Sequence, residues 1–372
     1  MKKVLIVDDS ALMRRVLSDI INDDEQLIVE KTANNGLEAL NVLQGGCRPD
    51  ILLVDINMPK MDGVQLLKEL NKYRIQIPVL IVSSIASQSA DETIEALALG
   101  AFDFVKKPNG SIGGGYQEFR KKVLLRTYMA CKLPLPKKVE QSILEQQLQV
   151  QSQSKNVESQ TEKKVKKTAK KKVPKSGRGS GGLAVIASST GGPRALQSVI
   201  PYFPKDFPLP LVVVQHMPAG FTASLAARLN EMSDINVKEA ADGDVIKKGW
   251  VYIAPGGKHI RIEKKGTDSV IKLSTEPPIE GLRPCANVMY ESLTSSNYDE
   301  ITCVVLTGMG ADGTNGIKAL NKNHKNIYVI AQDEETSVVY GMPKAIAGTG
   351  LVNEVVPLNR VAEAITKNVG VS

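Results

Sequence analysis

The stretch Ala187-Ser188-Ser189-Thr190-Gly191 ends an apolar run and opens a helical pattern. A small residue, any residue, serine, any residue, glycine is the spacing of a sharp strand-to-helix bend that lifts a serine hydroxyl clear of a sheet. Centring the spacing selects Ser189, not Ser188, as a nucleophile. The backbone N–H groups of Thr190 and Gly191 then fall at a helix start, where they can hold an oxyanion. Ser-Thr-Gly is also ordinary helix-capping chemistry, so the choice needs a base. The chain has three histidines. His216 ends the buried run LPLVVVQH, His259 begins a hairpin-like strand, and His324 lies in the polar loop NKNHKN. Only His216 shares a strand-end position with Ser189. The run ITCVVLTGMGADG delivers Asp312 to the same edge, where a carboxylate can hold the imidazole's other nitrogen. The same run contains Gly308-x-Gly310-x-x-Gly313, a dinucleotide-type spacing with Asp333 further on. Asp312 would set a carboxylate in the turn meant for a pyrophosphate, which weighs against nucleotide binding.

A second constellation is acidic. Asp8 and Asp9 end the first apolar run and Asp55 ends the third. Three carboxylates at one edge repel unless a hard cation joins them, and Mg²⁺ suits an all-oxygen set that keeps room for a phosphate. An aspartate can also accept a phosphoryl group as an acyl phosphate. Ser83 ends the fourth run, where its hydroxyl can meet a phosphoryl oxygen. Lys107 follows the fifth, where its ammonium can neutralise charge; its neighbour Lys106 reads as solvated. Helix capping accounts for Asp9 alone but not for all five residues.

Strand ends must be supplied by strands. Over residues 1–131, five short apolar runs alternate with five helical patterns, which predicts a parallel sheet covered on both faces. Residues 132–180 lose that order and read as a Gln/Lys-rich tether ending in SGRGSGG, with one short helix near Val139 to Gln149. From 181 to 372 the alternation returns. It predicts buried strands at LAVIAS, LPLVVVQH, GWVYIAP, ITCVVLTG and NIYVIAQD, a hairpin at HIRIEKK and SVIKLS, and helices over 191–200, 221–232, 284–295, 314–322, 338–347 and 359–368. The fold class is therefore α/β twice over: a flavodoxin-like (βα)5 unit, then a doubly wound, mostly parallel one.

The 372 residues carry a formal charge of +7. Residues 132–180 hold 13 Lys/Arg against 4 Asp/Glu, so the basic excess belongs to the tether and the rest is slightly acidic. The tether lacks interleaved aromatics, and no helix-turn-helix pattern follows the first unit, so no nucleic-acid partner is expected. The four cysteines form no Cys-x-x-Cys pair, which fits a reducing cytoplasm. No signal peptide or bilayer-length apolar run appears, so no membrane insertion is expected.

VLIVDDS, DINMPKMDG, LIVSS and AFDFVKKP resemble the response-regulator receiver domain over residues 1–131. The resemblance implies phosphorylation of Asp55 by a chemotaxis histidine kinase. It also implies metal binding by Asp8, Asp9, Asp55 and the backbone carbonyl of Asn57, with Ser83 and Phe104 as the switch pair and Lys107 as phosphate partner. IASSTGGPRAL, VVVQHMPAGF, YIAPGGKH, LTGMGADG and AQDEETSVVYGMPKAI resemble the catalytic domain of the chemotaxis protein-glutamate methylesterases. That resemblance puts nucleophile, base and orienting acid on Ser189, His216 and Asp312, and matches Thr190 and Met309 to active-site positions. It implies a methyl-esterified glutamate on a chemoreceptor's cytoplasmic domain as substrate, glutamine deamidation as a second reaction, and no cofactor for ester hydrolysis. Ala187-Ser188 departs from the family's small-Gly turn, and Cys285 and Asn287 replace an expected serine and aspartate. The rival expectation is a phosphorylation-switched interaction protein whose second unit is catalytically inactive.

Overall fold

The computed structural model describes residues 1–84, 87–108, 115–134, 181–323 and 325–370. The tether from 135 to 180, with the helix expected near Val139 to Gln149, lies outside the described residues, as does His324.

In the N-terminal unit, β1 (Lys2–Val7), β2 (Leu27–Ala33), β3 (Ile51–Val54), β4 (Val79–Ser83) and β5 (Asp103–Lys106) form one parallel sheet in the order β2-β1-β3-β4-β5. Between and after them run α1 (Ala11–Asn22), α2 (Gly36–Gln44), α3 (Gly63–Lys72), α4 (Ser87–Ala98) and α5 (Tyr116–Ala130). The helices start where side chains can satisfy their free N–H groups. Ser10 accepts from Met13 N and Asn35 from Glu38 N, while Asp62 and Gln65 close a reciprocal capping box. The strands are apolar throughout because alternate side chains enter different cores. Leu5 and Val7 join one, Val4 and Ile6 the other.

The C-terminal unit has a seven-stranded, all-parallel sheet, built from β6 (Gly182–Ser188), β7 (Leu211–Gln215), β8 (Asn236–Glu239), β9 (Trp250–Ile253), β12 (Glu300–Val305), β13 (Asn326–Gln332) and β14 (Glu354–Val356). Its order is β14-β13-β12-β6-β7-β9-β8. β10 (His259–Lys265) and β11 (Asp268–Ser274) make the expected antiparallel hairpin. The helices are α6 (Gly192–Gln197), α7 (Phe221–Glu231), α8 (Ala286–Ser292), α9 (Thr314–Lys322), α10 (Met342–Ala347) and α11 (Val361–Asn368). β8 and β14, short edge strands, were not expected from the sequence. Alternation again splits the strands: Leu183, Val185 and Ala187 feed one core, Ala184 and Ile186 the other.

The second of those cores is continuous with the first unit. Ala90, Ile94 and Leu97 of α4 belong to the same buried apolar cluster as Phe221, Leu225 and Ala195. α4 packs on α6 and α7, so the two units meet through apolar helix faces.

Candidate active site

Chain order reverses on either side of β6, whose neighbours are β7 and β12, and open parallel sheets hold ligands at such a crevice. Ser188 pairs in register with Gln215, so Ser189 and His216 leave adjacent strands side by side. The His216 N–H donates to the Ser188 carbonyl at 3.1 Å. Gly191 has φ +78°, and a Cβ there would lie 2.6 Å from Val338 Cβ, so the bend after Ser189 requires glycine. A Cβ on Gly192 would meet Gln215 Oε1 at 1.9 Å.

Gln215 is a residue that sequence reasoning missed. Its Oε1 accepts from Ser188 Oγ at 2.7 Å, and its Nε2 donates to the Ser189 carbonyl at 2.9 Å and the His216 carbonyl at 3.2 Å. It therefore fixes both strand ends. The available signal was a polar side chain at the end of a fully apolar run. Thr307, two residues past β12, performs the matching task on the other side: it accepts from Ser189 N at 3.0 Å through its carbonyl and donates its hydroxyl to the Thr190 carbonyl at 3.0 Å. The Ser189 N–H is thus taken by Thr307 and the Gly192 N–H by the Ser189 carbonyl at 2.8 Å, while Thr190, but not Gly191, lines the cleft with Ser189.

His216 Nε2 and Asp312 Oδ2 are 2.7 Å apart. Burial pushes the Asp312 pKa up, but the His216 hydrogen bond and charge and the Ala286 and Asn287 amides outweigh it and hold the carboxyl below its ordinary value. An ionised carboxylate only accepts, so Nε2–H is the donor to Asp312, and in the neutral imidazole Nδ1 is the basic nitrogen. Ser189 lines the same cleft as His216, with no hydrogen bond between its Oγ and the imidazole. Met309 sits half-buried in the turn that carries Asp312 and is off the cleft lining.

The cleft, about 510 Å³, is lined from both units: Ser189, Thr190, His216 and Arg283 on one side, Asp103 to Lys107, Glu118, Lys122 and Arg126 on the other. Lys106 is half-buried in that lining, because β5 ends at the junction between the units. Asp103 Oδ2 accepts from Thr190 Oγ1 and from Arg126 Nε, both at 2.9 Å. Phe104 packs on Phe221 with ring centroids 4.7 Å apart and the rings tilted by 36°. The first unit thus reaches the serine bend directly.

In the N-terminal sheet the reversal falls between β1 and β3, and the acidic residues gather there. One carboxylate oxygen from each of Asp8, Asp9 and Asp55 lies within 4.8 Å of the others. Lys107 Nζ is 2.8 Å from Asp8 Oδ2 and 2.7 Å from Asp55 Oδ2. Burial raises the Asp55 pKa, Asp8 adds to the rise, and Lys107 offsets it in part. Buried Ser83 accepts from Thr93 Oγ1 at 3.2 Å. Asn57 lies in the exposed loop after β3.

An acidic phosphoacceptor-type sheet joined to a second sheet with a Ser/His/Asp edge defines a response-regulator enzyme. The comparisons agree: residues 4–112 match the response regulator receiver domain, and residues 184–365 match the CheB methylesterase domain. The chain belongs to the family of protein-glutamate methylesterase/protein-glutamine glutaminases. The protein of that name from Pyrococcus horikoshii is 41% identical over 372 residues, covering 99% of this chain and 93% of the relative. Its namesake from Oceanobacillus iheyensis is 39% identical, covering 99% of each. The solved CheB methylesterase catalytic domain of Thermotoga maritima is 42% identical, with a TM-score of 0.49, covering 51% of this chain and 99% of that domain.

Proposed function

We propose that this chain is a phosphorylation-controlled hydrolase that removes methyl groups from glutamate methyl esters on chemoreceptor cytoplasmic domains and deamidates receptor glutamines. It acts in the cytoplasm, where its free cysteines stay reduced. Among the described residues no helix is long and apolar enough to cross a membrane.

Ser189 Oγ attacks the ester carbonyl as His216 Nδ1 takes its proton. Backbone N–H groups of the serine bend hold the developing oxyanion. Asp312 stays ionised and stabilises the imidazolium. His216 returns the proton to the departing methoxide, methanol leaves, and a glutamyl ester of Ser189 remains. Water, deprotonated by His216, then releases glutamate and regenerates the serine. A glutamine amide follows the same course with ammonia as leaving group. The observation that carries this reading is the 2.7 Å His216–Asp312 pair beside Ser189 at one cleft.

The receiver takes its phosphoryl group on Asp55 from a chemotaxis histidine kinase, forming an acyl phosphate beside Lys107 and Ser83. The all-oxygen set fits a hard divalent ion, so Asp8, Asp9, Asp55 and the Asn57 carbonyl would hold Mg²⁺, which neutralises charge between the carboxylates and the phosphoryl group when bound. At rest the receiver covers the serine cleft, as the Asp103–Thr190 and Phe104–Phe221 contacts support, and phosphorylation shifts the population toward an open arrangement. Methanol release from methylated receptor membranes, with and without a small phosphodonor, tests both parts. Ser189→Ala is expected to lose on the order of a thousandfold or more. A variant as fast as the parent refutes the assignment.

A further inference from the structure

Asp312 lies between two helix starts that have no side-chain caps of their own. Cys285 and Gly313, the residues before α8 and α9, make no side-chain capping bond. The Asp312 carboxylate fills the place before α8. Its Oδ2 accepts from Ala286 N at 2.6 Å, and its Oδ1 accepts from Asn287 N at 2.9 Å and from the Cys285 thiol at 3.2 Å. Asn287, on α8, does the same for α9: its Oδ1 accepts from Gly313 N at 3.0 Å and Gly316 N at 2.9 Å. The Gly313 N–H also reaches Asp312 Oδ1 at 2.9 Å. The two helices therefore cap each other, and the carboxylate that meets His216 is one half of the exchange.

The exchange leaves Asp312 little freedom. Oδ1 has three donors from protein, and Oδ2 has Ala286 N together with His216. Rotation about its side chain would break several bonds to gain none. Gly316 lets the helices approach this closely, since a Cβ there would lie 2.8 Å from the Asn287 carbonyl oxygen and 2.5 Å from Tyr290 Cβ. Burial first, then the charge of Asp312, push the Cys285 thiol up, so it remains an S–H donor and not a thiolate.

We propose that Asn287 and Cys285 are positioning residues for hydrolysis: together they clamp Asp312 so that its Oδ2 faces His216 Nε2. This rests on the hydrolase reading above. Neither residue lines the cleft that holds Ser189 and His216. Asn287 acts through the start of α9, and Cys285 acts on Oδ1 directly.

The test uses the full chain with phosphodonor, measuring kcat and KM for methanol release from methylated receptor membranes, with circular dichroism to check folding. Asn287→Ala strips the oxygen that holds two α9 N–H groups. Its kcat is expected to fall roughly 10- to 100-fold, the cost of loosening a catalytic group's aim, with KM within about twofold. Asn287→Asp keeps an acceptor oxygen and recovers most of the loss. Cys285→Ala is expected to lose about threefold or more in kcat, and Cys285→Ser, which still donates, to recover it. A folded Asn287→Ala with parental kcat overturns the proposal, and so does a loss that Asn287→Asp fails to restore. Should Asn287→Ala not fold, the Cys285 pair decides: Cys285→Ala at parental kcat overturns it. A parent chain that releases no methanol removes the hydrolase reading itself, and the clamp with it. An active parent with indifferent variants removes the clamp alone.

Discussion

Asp103→Ala should switch the resting enzyme on. Asp103 and Thr190 are both buried, and their 2.9 Å bond crosses from receiver to serine bend. A hydrogen bond to a charged partner contributes about 1.5–3 kcal/mol. The lower end applies here, because both groups regain water when the units part. Arg126, the other partner of Asp103, has a side chain 24% exposed and rehydrates readily, so its release adds little. A loss of about 1.5 kcal/mol from the covered state shifts the covered-to-open ratio roughly tenfold, and coupling of this size is ordinary for regulated proteins. Unphosphorylated Asp103→Ala should therefore release methanol about ten times faster than the unphosphorylated parent and respond less to phosphodonor. A chain beginning near Ser180 sets the upper limit, since it has no receiver to cover the cleft. If that shortened chain is fast while Asp103→Ala stays at the parental rate, the contact is incidental to control. If the shortened chain is no faster than the resting parent, the receiver is no cover at all.

Gly192→Ala drives a methyl group into Gln215 and breaks the brace on both strand ends, so both the melting temperature and methanol release should drop sharply; a variant with parental values for both would show that Gln215 moves aside freely. Asp55→Asn should raise the receiver's melting temperature at pH 7 by a few degrees. Burial raises the Asp55 pKa above its unfolded value, so the ionised form costs stability at neutral pH, and the gain should shrink as pH falls through that raised value; a variant less stable at pH 7 contradicts this. Asp312 has the opposite sign. Its pKa is held below the unfolded value of about 3.9, so its contribution is complete above that value and is lost as pH falls through the folded one. Urea melts should give a parent-to-Asp312→Asn stability gap that is largest near neutral pH and shrinks as pH falls below the unfolded carboxylate value, and a gap independent of pH contradicts it.

Apolar runs bounded by polar breaks made the long buried strands legible, because a parallel sheet covered on both faces needs side chains of one kind throughout. β8, NVKE, and β14, EVV, escaped because they are three or four residues long and half exposed, with no run to distinguish them from loop. α9 was legible residue for residue over 314–322, yet the cap that starts it was not. That cap comes from Asn287, on another helix, and no local pattern can contain it. The same limit hid most partners of Asp312: the motif set it beside His216, while its other donors come from residues 285–287 and Gly313. Asp103 reads in sequence as one polar residue in AFDFVKKP. Its bond to Thr190 joins residues 87 positions apart and depends on how two separate sheets meet.

That meeting also bears on how a phosphoryl group at one sheet can act at the other. Residues 103 to 107 run from the contact with Thr190, through Phe104 against Phe221, to Lys107 between Asp8 and Asp55. Four residue steps of extended chain span roughly 13 Å. Lys107 holds two carboxylates now, and a phosphoryl group on Asp55 would bring further negative oxygens within its reach, so the balance of forces on its ammonium must change. The strand is paired within its sheet on one side only, to β4, so it is an edge strand, as β2 is at the other side. A change at Lys107 therefore has a short covalent route to Phe104, which packs on Phe221, and to Asp103, which holds the serine bend through Thr190. The same strand end carries both the phosphoacceptor's lysine and the enzyme's cover, so control in this reading needs no long relay through the core.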